Sequence, residues 1–261
     1  MGVEARDEVS ALARGLALLR AVADAEAPLS NRELAERSGI PKATVSRLTS
    51  TLQSAGLLRL SPDERFTLGP AALHLGNAYL RGFDFRQQAR WHLAELAEAA
   101  GGNVHLGVRD GPDMLVIDTV HPRTALILSR MDVGLRMAIA TSAMGRAYMA
   151  ALPPPQRDAL REDLLAAGVD ARTRARLDEA LAEHRERGFS VSFGEWHPDI
   201  HALGFSLRGP RGELYGVSVG GPAYMLPAQR FLDEVGPRLL EVQRAIESEA
   251  GHGPEGRREG R

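Results

Sequence analysis

The strongest constraint on the fold lies near the N-terminus, where the sequence marks both ends of two short helices. The run from Ser30 to Glu33 is a capping box, in which a serine and a glutamate three residues later each accept the other's backbone N–H. Gly39 supplies the left-handed residue that ends such a helix. Pro41 suits the first turn of a second helix, and Gly56 suits its end. The segment is therefore predicted to form two helices joined by a tight turn.

The flanking sequence extends this motif to a winged helix-turn-helix. Downstream, Leu57–Leu68 alternates in polarity about a turn at Ser61-Pro62-Asp63, as a small β-hairpin does. Upstream, apolar residues recur at helical spacing between charged ones. Three helices followed by a hairpin predict a winged helix-turn-helix over residues 1–69. The apolar residues of the first helix are Val9, Leu12, Leu16, Leu19 and Val22.

The rest of the chain predicts a linker and a second domain, so the predicted fold class is α+β. Gly69-Pro70 is a boundary, and a helix over 71–80 is expected to link the domains and to pair subunits within the segment 70–83, because Leu73, Gly76 and Leu80 share one stripe. Residues 84–250 predict a mixed α/β domain with antiparallel strands, and the polar, glycine-rich residues 251–261 predict a disordered tail. A kink or a restart of the last helix is expected at Gly236-Pro237. Predicted helices span 84–100, 141–152, 156–167, 173–187 and 228–249, and predicted strands span 104–108, 114–117, 126–128, 189–193, 202–207 and 214–219.

Composition excludes several classes of site. The chain has no cysteine, which excludes disulfides, cysteine-ligated zinc, iron–sulfur clusters and thiol nucleophiles. The net charge of −2 excludes a uniformly basic nucleic-acid coat but permits a local basic patch. The longest uncharged run, Leu214–Gln229, has 16 residues and is interrupted by glycine and proline. That run is too short for a membrane span. The N-terminus lacks the apolar core of a signal peptide. A cytoplasmic protein is therefore expected, and no cofactor is expected.

The second helix of the motif carries a surface suited to DNA. Placing Val45, Leu48 and Leu52 inward leaves small polar and basic side chains outward, the types that meet base edges and phosphates. Between Arg37 and Pro62 there are four basic residues and no acidic one. The predicted DNA-contacting residues are Lys42, Ala43, Thr44, Ser46, Arg47 and Ser50 on the helix, with Arg59 and Arg65 flanking the wing. A winged helix that docks on protein has similar polar faces and is the alternative.

Short runs in both halves of the chain form one recognisable pattern across about residues 8–248. The runs are Arg14–Leu19, Gly39–Leu48 and Phe66–Gly69 in the first half, and Thr141–Ala147, Arg187–Phe189 and Val217–Pro222 in the second. Together they resemble the IclR family of bacterial transcriptional regulators. The resemblance implies an effector-binding domain related to the GAF/PAS-like fold, which binds a small organic acid or aromatic compound. It also implies dimers, often paired into tetramers, on palindromic double-stranded DNA operators.

The resemblance also implies an effector site beside the central sheet. Relatives often carry Asp at the position of Ser192, Cys at that of Ala202 and Ser at that of Gly220. Fewer polar groups predict a larger or more aromatic effector here. Trp196 is either a lid or stacking wall of this site, or a core or interface residue. The implied effector residues are Ala143, Met144, Ser192, Trp196, Ala202, Ser218 and Gly220, and Arg130, Arg136 and Arg146 are either carboxylate partners or surface residues.

Two other chemistries remain open as alternatives. Gly216–Gly220 has the G-x-S-x-G pattern of a hydrolase nucleophile, with Ser218 as the nucleophile, but the strand pattern continues through it. Glu195, His197, Asp199 and His201 would share one face of a strand, which could hold a metal, although loop histidines beside solvent-facing acids are commoner. A DNA-binding regulator without a small-molecule ligand is the third alternative. His105 and His121 have no partners evident in the sequence.

Overall fold

The computed structural model of the chain describes residues 10–123 and 132–251. The chain divides into two compact units, one ending at Gly82 and one beginning at Phe83. The predicted strand over 126–128, Arg130 and the tail from 252 onward lie outside the described residues. The segment 70–83 falls almost wholly within the first unit, and its function as a linker stays a prediction.

The first unit is a three-helix motif with a small sheet and a following helix. The capping box forms as predicted, because the Ser30 N–H donates to Glu33 Oε2 at 2.7 Å and Glu33 N–H donates to Ser30 Oγ at 3.3 Å. Gly39 ends the helix with φ +66°. The elements are α1 Ser10–Ala23, β1 Leu29–Ser30, α2 Asn31–Ser38, α3 Lys42–Ser54, β2 Leu58–Leu60, β3 Arg65–Leu68 and α4 Pro70–Leu80.

A single apolar core holds these helices against the wing. Leu18 of α1, Leu34 of α2 and Val45 of α3 are fully buried and meet Phe66 of β3, which is 2% exposed. The wing has a third strand that the sequence did not reveal: β1 pairs with β3, which gives the order β1-β3-β2. Two residues are too few to produce an alternating pattern, so only the pairing identifies β1.

The second unit is a six-stranded antiparallel sheet with helices on both faces. The strand order is β6-β5-β4-β9-β8-β7, in which β4–β5, β7–β8 and β8–β9 are hairpins of neighbouring strands. The elements are α5 Phe85–Ala100, β4 Asn103–Asp110, β5 Asp113–Val120, β6 Arg136–Ala138, α6 Ala143–Ala151, α7 Pro154–Ala166, α8 Ala171–Arg187, β7 Ser190–Phe193, β8 Ile200–Arg208, β9 Leu214–Pro222, α9 Ala228–Arg230, a π-helical turn Phe231–Val235 and α10 Gly236–Glu249.

The pairing of β4 with β9 joins the two halves of the sheet. The two strands are more than a hundred residues apart in sequence, and their register sets His105 opposite Ser218 and Asn103 opposite Gly220. Asp118 of β5 points to α5, where it pairs with Arg90 at 2.5 Å. Neighbouring residues of a strand point to opposite faces. Thr119, together with its cross-strand neighbours, therefore faces the side away from α5, which is the side that α6 covers.

Glycines let the first turn of α6 lie directly on the sheet. A Cβ atom on Gly204 of β8 would overlap the carbonyl oxygen of Ala143 and lie 2.9 Å from the Met144 nitrogen. A Cβ on Gly145 would likewise overlap the backbone of Ile139. Only glycine permits backbones to approach this closely. The N-terminus of α6 is thus fixed against the middle of the sheet.

The final helix accommodates its internal proline by widening. The predicted helix over 228–249 forms, but Phe231–Val235 is a π-helical turn placed directly before Gly236-Pro237. A proline inside a helix lacks one N–H and clashes with the carbonyl four residues earlier. The π turn relieves both problems, since it shifts the hydrogen-bond pattern by one residue.

Replacing Gly204 should test the close approach of α6. We expect Gly204→Ala to destabilise the second unit by about 2–4 kcal/mol, because overpacked backbone contacts cannot relax through a side chain. Both tryptophans of the chain, Trp91 and Trp196, lie in this unit, so denaturant unfolding followed by tryptophan fluorescence reports on it. Ser206→Ala on the same strand is the control and should change stability by less than about 1 kcal/mol. Equal stabilities of the two variants would show that the contact relaxes freely.

Candidate nucleic-acid interface and ligand pocket

The outer face of α3 presents the residues predicted to meet DNA. Its buried stripe is Val45, Thr49 and Leu52, while Leu48 is only half-buried. Leu48 nevertheless packs against the same core, as the sequence predicted. The sequence prediction missed Thr49, whose hydroxyl is satisfied by a backbone carbonyl inside the helix. Thr44 is half-buried, and the remaining predicted residues of this helix are exposed: Lys42, Ala43, Ser46, Arg47 and Ser50.

Thr49 joins the two helices of the motif. It is 1% exposed, and its hydroxyl donates to the Val45 carbonyl at 3.0 Å and lies 3.3 Å from Asn31 Oδ1 of α2. A buried hydroxyl costs free energy unless it is hydrogen-bonded. Thr49 therefore fixes the orientation of α3 with a polar contact that an apolar residue could not make.

The two wing arginines differ in what they contact. Arg59 is exposed on β2. Arg65 donates to the Pro28 carbonyl at 2.8 Å and to Glu33 Oε2 at 3.0 Å. The Ser30 hydroxyl and backbone N–H, followed by Arg65, lower the pKa of Glu33 to about 2, so this carboxylate stays charged. Arg65 thus braces the wing against the capping box, and its charge is already engaged within the unit.

A cavity lies in the second unit between the first turn of α6 and the sheet. Six of the seven predicted effector residues line it, and the structure adds four residues that the sequence prediction missed. The predicted lining residues are Ala143, Ser192, Trp196, Ala202, Ser218 and Gly220, and the additional ones are His105, Met137, Ser142 and Ile200.

Met144 is the exception, and its prediction as an effector contact is corrected. It is fully buried and fills the space above Gly107 and Gly216, where added Cβ atoms would lie 2.6 Å and 2.7 Å from its side chain. It belongs to an apolar cluster with Met114 and Val116. A helix turns 100° per residue, so Met144 points away from the cavity that its neighbour Ala143 lines.

Polar side chains of the sheet point into the cavity. Ser192 and Ser218 are 2% and 4% exposed. Neither hydroxyl has a hydrogen-bond partner among the residues that the structure describes. Neither oxygen is completely enclosed by protein atoms, so both can be reached from the cavity. Buried hydroxyls ordinarily find partners. These two are therefore donors and acceptors available to a molecule in the cavity, within a wall that is otherwise mostly apolar.

His105 lines the cavity and is 3% exposed. Its Nδ1 lies 3.2 Å from Thr119 Oγ1 on the neighbouring strand. Burial and the charge of nearby His121 lower the pKa of His105 to about 4, while Asp132 acts in the opposite direction. The imidazole is therefore neutral at pH 7. Sequence reasoning found no partner for it because Thr119 comes into reach only through strand pairing.

Arg146 is a structural residue, which corrects its assignment as either an effector partner or a surface residue. It is 1% exposed and donates to the Val191 carbonyl at 2.7 Å and to Glu195 Oε2 at 2.7 Å. Arg176 of α8 donates to the other oxygen of Glu195 at 2.7 Å. Burial raises the pKa of Glu195, but the bonds from the two arginines outweigh it and hold that pKa below its usual value.

This Arg146–Glu195–Arg176 clamp positions a wall of the cavity. Glu195 directly precedes Trp196 in the connection between β7 and β8, and Trp196 packs, partly buried, against the apolar cluster that contains Met114, Val116 and Met144. The tryptophan is thus both a core residue and a cavity wall, which combines the two interpretations of the sequence. Breaking a buried ion pair leaves an uncompensated charge, so the clamp resists displacement of this wall.

The other predicted polar sites are engaged elsewhere. Arg136 is on the surface and pairs with Asp110 and Asp113. His201 Nδ1 lies 2.9 Å from the Leu226 carbonyl. Glu195 belongs to the arginine clamp, so the four-residue metal set suggested by the sequence is not assembled. Within 10–123 and 132–251, no group of three or more potential metal-ligating side chains is found, and no helix is long and apolar enough to cross a membrane.

The cavity is tight. The volume within it that the centre of a water molecule can occupy is about 20 Å³. One water needs about 10–15 Å³ on this scale, so the space holds one or two waters. An aromatic acid is larger, and its entry requires a wall of the cavity to move.

Two family models match the chain, and the second begins within α4 at residue 77. The IclR helix-turn-helix domain matches residues 11–62, which include α1 to α3. The family described as Bacterial transcriptional regulator IclR C-terminal matches residues 77–248, which include the cavity. The chain belongs to the IclR family.

Individual IclR-family relatives extend along nearly the whole chain. The chain is 31% identical to the HTH-type transcriptional regulator TsaQ1/TsaQ2 of Comamonas testosteroni, covering 92% of this chain and 88% of that protein. It is 28% identical to the transcriptional repressor IclR of Escherichia coli K12, covering 93% and 90%. The crystal structure of an IclR family transcriptional regulator from Brucella abortus matches with a TM-score of 0.79 at 34% identity, covering 94% of each chain.

These matches establish the class of activity. The chain is an IclR-family transcriptional regulator with an N-terminal DNA-binding domain and a C-terminal effector-binding domain, and not an enzyme. The hydrolase alternative is unsupported, and the structure agrees, since β9 continues for four residues beyond Ser218. A nucleophile elbow requires a sharp turn into a helix at that point. The GAF/PAS-like relationship of the second domain stays a prediction.

Proposed function

We propose that this protein is a one-component cytoplasmic regulator that binds a palindromic operator through α3 and responds to a small organic acid in the cavity under α6. The observation that carries the proposal is that one chain combines an exposed recognition helix free of carboxylates with a buried pocket whose two serine hydroxyls have no partner among the described residues. The first surface suits an anionic polymer, and the second suits a small polar ligand.

The DNA contacts follow from the exposed face of α3. The first turn of such a helix meets base edges in the major groove, so we assign base contacts to Lys42, Thr44, Ser46 and Arg47. Ala43 suits close approach to a base, and Ser50 lies one turn further along. Arg59 suits a phosphate or minor-groove contact beside the wing. Arg65 contributes through bracing the wing rather than through a free charge.

Arg47 provides the direct test of DNA binding. Arg47→Ala should weaken operator binding by about 1–3 kcal/mol if the guanidinium contacts a base, because a bidentate pair is lost. Capture and sequencing of genomic fragments identifies the operator, and fluorescence anisotropy on that duplex measures the change. Arg20→Ala, which removes an exposed arginine from α1, is the control and should bind nearly as wild type does. An unchanged affinity for Arg47→Ala would remove this residue from the interface.

The effector class follows from the composition of the cavity wall. Ser192 and Ser218 supply a few polar contacts, while Trp196, Ile200 and Met137 supply apolar surface. A site with few fixed polar groups gains most of its affinity from apolar contact. We therefore favour an aromatic or otherwise larger carboxylic acid over a two- or three-carbon acid.

The tightness of the cavity suggests how an effector alters DNA binding. A ligand shifts a conformational equilibrium only by its different affinities for the two states. A cavity with room for one or two waters disfavours the ligand, whereas a conformation with a displaced wall admits it. The ligand would thus select the expanded conformation.

Ser218 tests the effector site separately from the DNA site. Ser218→Val should weaken effector binding by about 1.5–3 kcal/mol, the value of a hydrogen bond to a charged group, while operator binding without effector is retained. A thermal-shift screen with aromatic acids and small carboxylates identifies the ligand, and calorimetry measures its affinity. Ser206→Val, on β8 outside the cavity, is the matched control. Loss of operator binding by Ser218→Val would instead assign Ser218 a purely structural function.

The first unit also carries an apolar surface suited to a second copy of the chain. Helix α4 has no buried residue, and Leu73 and Leu75 are 68% and 59% exposed. Leu12 and Leu16 of α1 are exposed as well. An 11-residue helix with no buried side chain is marginal alone. We assign α4 to a homodimer interface, which supplies the two reading helices that a palindrome requires, and a dimer of dimers is compatible with it.

Introducing a charged residue on α4 tests whether this helix forms the homodimer interface. Leu73→Glu should shift the protein toward smaller species in sedimentation velocity, since it buries an unpaired carboxylate in the dimer. Leu165→Glu places the same charge on an exposed leucine of α7 and should sediment as wild type does. Identical sedimentation of wild type and Leu73→Glu at micromolar concentration would exclude α4 from the interface.

A further inference from the structure

We propose that His105 is the residue that recognises the charged group of the effector, and that it takes up one proton from solvent as a carboxylate binds. The effector is then held as an imidazolium–carboxylate pair inside the cavity. This inference rests on the proposed function of the cavity and specifies the chemistry inside it.

The geometry of His105 leaves one ring nitrogen for a ligand. Its Nδ1 is engaged with Thr119 Oγ1 at 3.2 Å, and its Nε2 has no hydrogen-bond partner among the described residues. The ring lines the same cavity as the hydroxyls of Ser192 and Ser218, and the strand register sets His105 directly opposite Ser218. A carboxylate has two acceptor oxygens. One can accept from the His105 Nε2–H while the other accepts from the Ser218 hydroxyl.

The contact with Thr119 is compatible with both charge states of the ring. A hydroxyl both donates and accepts. With a neutral imidazole the Thr119 hydroxyl can donate to Nδ1, and with an imidazolium it can accept from the Nδ1–H. Protonation therefore requires only rotation of a hydroxyl hydrogen and no movement of the ring.

None of the described residues that line the cavity carries a negative charge that could satisfy an imidazolium before a ligand arrives. Beyond the end of β5, His121 repels a proton on His105, and the Asp132 carboxylate attracts it only partly. β9 and the start of α6 contribute the hydroxyls of Ser218 and Ser142. The next charge on α6, Arg146, is turned toward Val191 and Glu195.

The remaining walls of β7 and β8 are Ser192, Ile200 and Ala202, so they also carry no charge. Burial consequently keeps the pKa of His105 at about 4 without a ligand. A carboxylate within hydrogen-bond distance raises the pKa of a neighbouring base by about 1–3 units. The ring is then neutral in the free protein and protonated in the complex at mildly acidic pH.

This mechanism predicts the sign of the pH dependence. Binding takes up a proton between the low pKa of free His105 and its raised pKa in the complex, so the affinity for a carboxylate increases as pH falls through that window. From pH 7.5 to pH 5.5 we expect the dissociation constant for benzoate to fall about tenfold. Benzoate remains ionised throughout this range, because a carboxyl pKa lies near 4. Benzamide, its uncharged isostere, should show no such change.

Calorimetry tests the proposal with benzoate and benzamide as probes. Titrations at pH 5.5 in two non-carboxylate buffers of different ionisation enthalpy count the protons taken up on binding. We expect close to one proton for benzoate and none for benzamide. In His105→Gln, which keeps an amide N–H but cannot ionise, benzoate should bind without proton uptake and with equal affinity at both pH values. His121→Gln removes the neighbouring histidine, which repels a proton on His105 but does not line the cavity, and its benzoate complex should still take up a proton.

The outcomes separate this inference from the proposed function. Benzoate binding to wild type without proton uptake overturns the function of His105 while the cavity remains an effector site. If benzoate binding to His105→Gln still takes up a proton, then a group other than His105 is protonated, and the inference is overturned. Binding of benzamide but not of benzoate overturns the carboxylate class together with the inference. Operator binding measured on the same preparations shows whether the regulator function stands in each case.

Discussion

The close contact between the first turn of α6 and the middle of the sheet is the constraint on which the second unit depends. It exists because Gly204 has no side chain and lets the backbones of β8 and α6 meet, while Gly145 allows the same helix to approach the backbone of Ile139. The contact fixes the height of α6 above β4, β8 and β9. That height leaves a narrow cavity beside Ala143 and allows Met144 to fill the neighbouring space over Gly107 and Gly216. The pocket is therefore a consequence of how the helix rests on the sheet.

Electrostatics then divides the polar groups around this pocket into two kinds. The Arg146–Glu195–Arg176 clamp is complete within the protein and stabilises the wall that carries Trp196. His105, Ser192 and Ser218 keep hydrogen-bonding capacity toward the cavity. Buried polar groups cost free energy until they are paired. The first set therefore contributes to stability, whereas the second set gains its partners only when a suitable ligand enters, which is the physical basis of recognition here.

Sequence patterns predicted the DNA-binding unit more fully than the effector site. Helix ends and turns depend on residues a few positions apart, so Ser30, Glu33 and Gly39 were sufficient to locate α2 and the turn into α3. The resemblance to IclR regulators added most of the pocket residues. His105 was missed, although a signal for it was present: it lies two residues after Asn103 in an alternating strand, so both polar side chains share one face. Met144 and Arg146 were misassigned because helical spacing alone does not show what each face of α6 meets.

By itself, the sequence determined the order of the elements, the helix-turn-helix, the absence of acids on its recognition helix and the membership of a regulator family. These properties follow from local backbone preferences and from the chemistry of the side chains along one element. Only the tertiary structure decided that β4 pairs with β9, that His105 lies opposite Ser218, and that Arg146 is buried against Glu195. Such contacts join residues that are far apart in the chain, and they form because burial of the whole core selects one register and one helix height from many that the local sequence permits.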